Sequence, residues 1–272
     1  MNARDDYQMT SLYSIAIFVG TGQCNAYCDH CAGLIHRRYA PKEDGNVDED
    51  LITKTLKESY MQGARRLSIT GSGEPTLSPR SVSKVLEIAD RQAQQGMAYN
   101  DIHMYSNGIR IGEDKEFCDS NLPAWRSNGL KGVYVTVHDI DMAKNASIYG
   151  VKEYPPIQSV LSRIHDAGLY MRANLILSKN GIDNLEKFVS SSTYLKSLGV
   201  DAIAAWPIRG MDDKLDIEAS APDKELDKMD EWIAKDKQDN IAIYRENHRM
   251  LYQTSQKLTL FPDGSLSNMW CK

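Results

Sequence analysis

Short apolar runs alternate with amphipathic segments along most of the chain. The runs are rich in β-branched and aromatic residues and end near glycine or polar residues, a pattern that is typical of buried strands. They predict six strands, at Ser14–Gly20, Arg65–Thr70, Asp101–Ser106, Lys131–Val137, Leu169–Leu177 and Val200–Trp206.

The segments between the strands carry apolar residues at helical spacing, and most of them end at a glycine. Pro123 interrupts this pattern between Asp114 and Asn128, so no clear helix is predicted there. The predicted helices begin at Asn46, at Ser78–Pro79, after Pro155–Pro156 and at Asp183, and they end at Gly63, Gly96, Gly168 and Gly199.

Regular alternation of strand and helix predicts parallel strands that are joined by right-handed crossovers. Six such units favour an α/β fold, a partial (β/α)6 TIM-like barrel with its functional loops at the carboxyl ends of the strands. A flavodoxin-like open sheet is the alternative architecture. We expect residues 1–210 to form the barrel. Residues 211–272, with a helix at Asp223–Asp236 and a hairpin that turns at Pro262–Gly264, are expected to cap it within the same compact unit.

The composition favours a globular protein and argues against a membrane span, a nucleic-acid partner and a secreted disulfide scaffold. Of the 272 residues, 42% are hydrophobic and 25% charged, as in ordinary soluble domains, and no apolar run approaches the roughly 18 residues of a membrane span. The net charge of −5 argues against a nucleic-acid partner. The amino terminus lacks a signal-peptide pattern. An odd number of cysteines, three of them close together, favours a reduced, cytoplasmic protein over a secreted disulfide scaffold.

The loop after the first predicted strand, residues 21–46, carries the most specific pattern. It begins TGQCNAYCDHCAG and spaces Cys24, Cys28 and Cys31 as C-x3-C-x2-C. Three thiolates on one loop hold one face of a metal site and leave one position open. A structural zinc site completed by His30 or His36 is the alternative, but such sites usually draw their ligands as two separated pairs, and the sequence has no second pair.

Two further motifs follow the next two predicted strands. GSGEP, with Gly73, Glu74 and Pro75, follows the second, and the Ser106–Asn107–Gly108 segment follows the third. Together with the cysteine spacing, they make roughly residues 14 to 210 resemble the radical S-adenosylmethionine (radical SAM) enzyme superfamily.

The resemblance implies a cofactor pair and a reaction. The three cysteines would hold a [4Fe–4S] cluster whose open iron binds the amino and carboxylate groups of S-adenosylmethionine. An electron, supplied by a donor such as flavodoxin or ferredoxin, would cleave the sulfonium C–S bond. The resulting 5′-deoxyadenosyl radical would abstract hydrogen from a substrate carbon while the protein orients the reactants.

The resemblance also implies residue roles around S-adenosylmethionine. Glu74 would accept a hydrogen bond from the ammonium group, and Gly73, followed by Pro75, would let the backbone approach closely. The backbone of His30 would contact the adenine. Ser72 departs from the family, which often has a second glycine there. Three further residues are candidates for cofactor contacts: Ser106, Asn107 and Asn174.

Substrate contacts are expected from strand residues that face the barrel lumen. His138, Arg172 and Arg209 are candidates to bind an acidic or polar group, and a paired structural charge is the alternative for Arg172. Cys271 is a candidate hydrogen donor to a substrate radical, and a terminal thiol without a role is its alternative. We expect Cys118 to be a small buried hydrophobe.

The hypothesis that fits the residues best is a radical SAM enzyme that isomerises, epimerises or rearranges a small metabolite. Modification of a peptide or protein, including activation of a glycyl-radical enzyme, is the first alternative, and modification of a tRNA base comes third. A non-catalytic iron–sulfur or zinc-binding module is the alternative of another class. An electron carrier, however, would be expected to show a fourth cysteine nearby, and none is present.

Overall fold

The apolar runs form the strands of a single sheet in the computed structural model, which describes residues 12–210, 214–236, 238–245 and 257–268. All six predicted strands are present, with ends that differ from the prediction by no more than two residues. The nine strands are β1 Ser14–Val19, β2 Arg66–Gly71, β3 Asp101–Ser106, β4 Gly132–Val137, β5 Tyr170–Leu177, β6 Ala202–Pro207, β7 Ile241–Ile243, β8 Lys257–Leu260 and β9 Leu266–Ser267.

The order of the strands decides between the two predicted architectures. It runs β7-β6-β5-β4-β3-β2-β1-β8-β9, and every neighbouring pair is parallel except β8 and β9. A flavodoxin-like sheet reverses its strand order at a switch point, whereas β1 to β7 follow one another in one direction. Within the described residues the sheet is not closed, so the prediction of a partial (β/α) barrel is confirmed, and that of a flavodoxin-like sheet is wrong.

Helices connect the parallel strands. Their residues pack on the apolar face of the sheet, where Ile15, Leu67, Val133 and Leu175 are buried in one hydrophobic core with them. None of the described helices combines the length and apolar composition needed to traverse a lipid bilayer. The helices are α1 Glu49–Met61, α2 Pro79–Ala93, α3 Ile109–Glu113, α4 Lys115–Ser127, α5 Met142–Tyr149, α6 Ile157–Asp166, α7 Leu185–Leu198 and α8 Asp223–Lys235.

Two predicted helix starts are wrong by one or two residues. The amino-terminal cap of α1 is Asp48, whose carboxylate accepts a hydrogen bond from the Leu51 backbone N–H at 2.9 Å. The cap of α7 is Asn184, which accepts from Lys187 N at 3.0 Å. In each case the sequence offers two residues that favour the amino-terminal cap, Asn46 and Asp48 or Asp183 and Asn184. Which of the two caps the helix depends on the backbone conformation, and the sequence does not show it.

Helix α4 corrects the expectation that Pro123 prevents a helix between Asp114 and Asn128. The helix runs through Pro123, although proline costs about 3 kcal/mol in a helix interior. Asp114 caps its first turn, and Trp125, which is 1% exposed, anchors its last turn by donating to Ser83 Oγ at 2.9 Å. Capping and burial of a large aromatic side chain offset the cost of the proline.

The carboxyl-terminal segment extends both edges of the sheet. Strand β7 pairs with β6, and β8 pairs with β1; the sequence pattern predicts neither pairing. The hairpin is confirmed, because β9 returns antiparallel to β8 with Thr259 opposite Ser267. A capping role for residues 211–272 stays a prediction, and Cys271 lies outside the described residues.

The second face of the strands carries polar residues and lines the lumen of the partial barrel. Its best-connected group surrounds Asp101: Arg66 NH2 lies 2.6 Å from Oδ2, while Tyr170 OH donates to Oδ1 at 3.1 Å and His103 Nδ1 lies 3.4 Å from it. Burial alone would raise the pKa of Asp101, but the hydrogen bond from His103 and the charges of His103 and Arg66 hold it below its usual range. Burial lowers the pKa of His103 to about 4.

We predict that Asp101→Asn lowers the free energy of unfolding by about 1–3 kcal/mol at pH 7, because Arg66 loses its half-buried counter-charge. The folded-state pKa of Asp101 lies below the unfolded value of about 3.9. Its contribution is therefore complete above that pH and is lost as the pH falls further. Urea unfolding at pH 7 and pH 3 measures both effects.

The matched control for this prediction is Asp119→Asn, which removes an exposed carboxylate that pairs with Lys115 four residues earlier. An exposed pair of this kind contributes about 0.3–0.5 kcal/mol. Equal losses of stability in the two variants, or the same difference between wild type and Asp101→Asn at both pH values, would contradict the prediction.

Candidate active site

The cysteine loop leaves the carboxyl end of β1. Cys24, Cys28 and Cys31 are half-buried free thiols, and backbone bonds hold the loop in place, including one from Tyr27 N to Tyr149 O at 2.8 Å. After Cys31, residues Ala32–Tyr39 form a 3₁₀ helix where the sequence predicts only irregular loop. The three predicted metal ligands therefore lie together at the carboxyl end of the sheet, where functional loops of such barrels are found.

The electrostatic setting of the thiols suits metal binding. Burial raises the pKa of Cys28 to about 12, and the neighbouring thiols of Cys31 and Cys24 add to this effect; burial also raises the pKa of Cys24. Thiolates here need a compensating cation, which bound iron provides as it displaces the protons. Within the described residues, no three His, Cys, Asp or Glu side chains are placed to hold a single metal ion. A cubane cluster attaches each thiolate to a different iron, so its ligands need not converge on one point.

The loop after β2 lies directly against the cysteine loop. Glu74 N donates to the carbonyl of Gln23 at 2.8 Å. A Cβ atom on Gly73 would lie 2.0 Å from the same carbonyl oxygen, far inside van der Waals contact. Gly73 therefore lets the loop after β2 approach the loop that carries the cysteines, and only glycine fits there. Its close approach to the cofactor stays a prediction.

The carboxylate of Glu74 joins the loops after β2 and β3. It is 4% exposed, and it accepts from Thr76 N at 3.1 Å, from Thr76 Oγ1 at 2.8 Å, from Ser106 Oγ at 2.7 Å and from Asn107 N at 2.7 Å. Burial raises its pKa, and these hydrogen bonds act in the opposite direction. Three of the four donors reach Oε1, which leaves Oε2 with one. The contact of Glu74 with a cofactor ammonium group stays a prediction. Pro75 is buried and begins the 3₁₀ helix Pro75–Leu77.

Asn107 connects the loop after β3 to the cysteine loop. Its amide nitrogen donates to Asn25 Oδ1 at 2.7 Å and lies 3.8 Å from Cys24 Sγ, while its amide oxygen accepts from Ile109 N at 3.0 Å. Ser106 Oγ also accepts from Gly108 N at 3.0 Å. Hydrogen bonds to ligating sulfur tune the potential of iron–sulfur clusters. The structure thus brings Ser106, Asn107, Glu74 and Cys24 together as one hydrogen-bonded unit.

His138 lies beside the cysteine loop, at the carboxyl end of β4. It is 1% exposed, and its ring meets those of His30 and Tyr149 edge to face at centroid distances of 5.0 and 4.5 Å. Neither ring nitrogen has a hydrogen-bond partner among the described residues. Burial lowers its pKa to about 3, with a further contribution from His30. The site therefore holds a neutral imidazole, without a hydrogen-bond partner in the described part of the chain, next to the predicted adenine contact, His30.

Arg172 and Asn174 lie deeper in the lumen, on β5. Arg172 Nε donates to Asn174 Oδ1 at 3.0 Å, and the guanidinium carbon lies 3.4 Å from the centroid of the Tyr134 ring. Among the described residues Arg172 forms no ion pair, so the alternative of a paired structural charge finds no partner there. Arg209 follows the end of β6, and its backbone forms an isolated antiparallel β-bridge with that of Leu215. His138 and Arg209 thus follow the carboxyl ends of β4 and β6, whereas Arg172 lies within β5, and their contact with a substrate stays a prediction.

Comparison with known proteins identifies the family. A family model described as the radical SAM superfamily matches residues 18–201, more than half of the chain. The chain belongs to the radical SAM superfamily. The resemblance recognised from the motifs is confirmed, and the expected cofactors, a [4Fe–4S] cluster and S-adenosylmethionine, are those of this superfamily of enzymes.

Individual relatives of this radical SAM protein are distant. GTP 3′,8-cyclase of Klebsiella pneumoniae subsp. pneumoniae is 22% identical over 161 residues, 59% of this chain and 45% of the relative, so the match spans less than half of that protein. Streptococcus suis SuiB bound to precursor peptide SuiA has a TM-score of 0.65 at 14% identity, covering 96% of this chain and 60% of that one. Methylornithine synthase (PylB) has a TM-score of 0.57 at 12% identity, covering 96% and 75%. These structural likenesses show the fold alone.

Several residues around the radical SAM site escape sequence reasoning. Tyr154 is buried and donates to the Asn107 carbonyl at 2.8 Å, with the ring of Tyr149 stacked on it. Arg37 donates to the Ser72 carbonyl at 3.0 Å. Asn25 lies inside the cysteine motif, yet nothing in its spacing indicates the bond to Asn107. Each contact joins segments that are far apart in sequence, and no local pattern predicts it.

We predict that Gly73→Ala prevents stable assembly of the cluster, because the added methyl group separates the loop after β2 from the cysteine loop. Anaerobic reconstitution followed by iron and sulfide analysis should show less than about a tenth of the wild-type content, since the 2.0 Å clash is with backbone that cannot yield locally.

Gly96→Ala is the control for this substitution. Gly96 has a positive φ, +85°, but no atom lies within 4 Å of its added Cβ, so the change should cost only about 1 kcal/mol of stability. Wild-type iron content in Gly73→Ala, or equal losses of iron in both variants, would contradict the assigned role of Gly73.

Proposed function

We propose that this chain is a radical SAM enzyme that acts on a small molecule held in the barrel lumen, with isomerisation, epimerisation or rearrangement as the outcome. The observation that carries the proposal is the hydrogen-bonded unit at the carboxyl ends of β1, β2 and β3. Within it Asn107 contacts both the Glu74 carboxylate and the Cys24 thiol, and the polar face of the strands continues from it into the lumen.

Cys24, Cys28 and Cys31 would hold the cluster. Bound together, the cluster and S-adenosylmethionine supply a 5′-deoxyadenosyl radical that abstracts hydrogen from a substrate carbon. Gly73 and Glu74 hold the neighbouring loop against the cysteines, which fixes the backbone around the cofactor. His138 offers an unpartnered imidazole to a polar group of the cofactor or substrate. Placement of the chemistry inside the barrel keeps water away from a reactive intermediate.

A small-molecule substrate is favoured by the character of the lumen. The side chains that face it from β4 and β5 include Tyr134, Arg172 and Asn174, which are positioned by one another, as in a preformed small-molecule site. The names of GTP 3′,8-cyclase and methylornithine synthase also refer to small molecules. Peptide modification is the second candidate, since the structure of SuiB contains a precursor peptide.

The electron required by the reaction comes from a partner of the flavodoxin or ferredoxin kind. Tyr27, between two of the cysteines, is 74% exposed, so the cysteine loop is accessible to such a donor. A cytoplasmic location accords with the free thiols and stays a prediction.

We predict that cluster-reconstituted wild-type protein forms 5′-deoxyadenosine from S-adenosylmethionine and dithionite, and that Cys24→Ala lowers the rate by at least about a hundredfold, because one ligand of the cluster is lost. Liquid chromatography of anaerobic reactions measures the product.

Cys118→Ala is the matched control. Cys118 is buried and donates to the Ile111 carbonyl at 3.3 Å, behind the sheet and away from the cysteine loop. Its loss should leave the rate within about twofold and cost about 1 kcal/mol of stability. Absence of 5′-deoxyadenosine from cluster-replete wild type, or equal losses in both variants, would refute the proposed function.

A further inference from the structure

A serine, a histidine and an aspartate contact one another in sequence on the lumen face of β2 and β3. Ser68 Oγ lies 2.8 Å from His103 Nε2, and His103 Nδ1 lies 3.4 Å from Asp101 Oδ1. The strand register explains why they meet. Ser68 is paired directly with His103, and Asp101 lies two residues before His103, on the same face of β3. The proposed radical chemistry does not use these three side chains.

The serine is the member of this group that a reactant can approach. Ser68 lies between Leu67 and Ile69, which are fully buried in the hydrophobic core with the helices, so its side chain projects to the opposite face, into the lumen. Ser68 is partly exposed, whereas His103 is 3% exposed. A reactant in the lumen therefore meets the hydroxyl group before it meets the imidazole.

The surroundings of the imidazole fix its orientation. The His103 ring stacks on the Tyr134 ring at a centroid distance of 4.0 Å, and Asp101 is itself held by Arg66 at 2.6 Å and by Tyr170 at 3.1 Å. The contact with the Asp101 carboxylate places the ring proton on Nδ1, which leaves Nε2 to accept from the serine hydroxyl. Burial, which lowers the pKa of His103 to about 4, keeps the ring in this neutral form.

This arrangement has the features of an activated nucleophile. The hydroxyl lies within hydrogen-bond reach of a base, and a third group orients that base. Arg172 adds a charged donor nearby. Its guanidinium carbon lies 3.4 Å from the centroid of the Tyr134 ring on which His103 stacks, and its NH2 nitrogen has no hydrogen-bond partner in the described part of the chain. Preorganised donors stabilise the oxyanion that forms when a hydroxyl attacks a carbonyl group.

We propose that Ser68 is a nucleophile, with His103 as its base and Asp101 as a positioning residue, and that it takes the acyl group of a small carboxylic ester bound in the lumen. Ser68 Oγ attacks the carbonyl carbon while its proton passes to His103 Nε2. The bond from that carbon to the alcohol oxygen breaks, and the leaving alcohol takes the proton from His103. Water then attacks the acyl-serine by the same route, which releases a carboxylic acid and restores Ser68.

The test is covalent labelling of the cluster-reconstituted full chain with diisopropyl fluorophosphate, a small reagent that modifies activated serines with loss of fluoride. No S-adenosylmethionine and no reductant are present. We expect a single adduct by intact mass spectrometry, which peptide mapping places on Ser68, and hydrolysis of 4-nitrophenyl acetate that the adduct blocks. Absence of the adduct, or an adduct elsewhere with Ser68 unmodified, would overturn the proposal.

Substitutions distinguish an activated serine from a structural hydrogen-bond network. Ser68→Ala should abolish the adduct. His103→Gln should lower the labelling rate by at least about a hundredfold, because the base is lost. Asp101→Asn should lower it by at least about tenfold, because the carboxylate no longer orients the ring. A structural network predicts no change in the labelling rate of any folded variant.

His165→Gln is the matched control, because His165 forms an exposed pair with Asp201 at 2.9 Å on the outer surface. It should be labelled as wild type is. Circular dichroism checks that each variant is folded. If Asp101→Asn does not fold, Ser68→Ala and His103→Gln still decide, and labelling of His103→Gln at the wild-type rate would contradict the role of the base.

The labelling result is independent of the proposed function, because the acyl transfer requires neither S-adenosylmethionine nor an electron. A protein that is labelled at Ser68 but forms no 5′-deoxyadenosine in the separate assay contradicts the proposed function alone. An enzyme that forms 5′-deoxyadenosine while Ser68 stays unreactive contradicts this inference alone.

Discussion

The Glu74 carboxylate is almost completely enclosed by protein, so its hydrogen bonds must come from the chain itself. Thr76, Ser106 and Asn107 supply them. Thr76 lies in the loop after β2, Ser106 is the last residue of β3, and Asn107 begins the loop after β3. An unsatisfied carboxylate at this depth would be strongly destabilising. The geometry of both loops, and through Asn107 that of the cysteine loop, therefore depends on this one group.

A second constraint acts through the backbone. The hydrogen bond from Glu74 N to the Gln23 carbonyl requires that residue 73 has no side chain. The Glu74 carboxylate thus connects the loop after β2 to the loop after β3. Gly73 allows the loop after β2 to contact the cysteine loop after β1. Together these contacts connect the loops at the carboxyl ends of β1, β2 and β3. The half-buried thiols of the cysteine loop lie at this end of the sheet. Rigid support of this kind is what a reactive site requires.

The face of the sheet toward the helices contributes stability, whereas the face toward the lumen carries the polar groups that are candidates for function. The face toward the helices is apolar throughout, with Ile15, Leu67 and Val133 fully buried. The lumen face keeps arginine, lysine, histidine and tyrosine in partly buried positions, where each group needs a partner or a ligand. The Asp101 network satisfies some of them within the chain. Arg172 and His138 retain unsatisfied nitrogen atoms among the described residues, and such atoms mark where ligands are expected.

The sequence by itself determined the strand positions, the alternation with helices, the cysteine motif and the family. These depend on local periodicity and on short motifs, and both are written in consecutive residues. Only the tertiary structure decided that Asn25 bonds to Asn107, that Tyr154 supports the loop after β3, that α4 tolerates Pro123 and that β7 and β8 extend the sheet. It also placed Arg66 and Lys257 on the two strands that flank β1, each paired with Ser14. These contacts join residues that are distant along the chain, and they follow from the strand register and the packing of the whole sheet rather than from any local pattern.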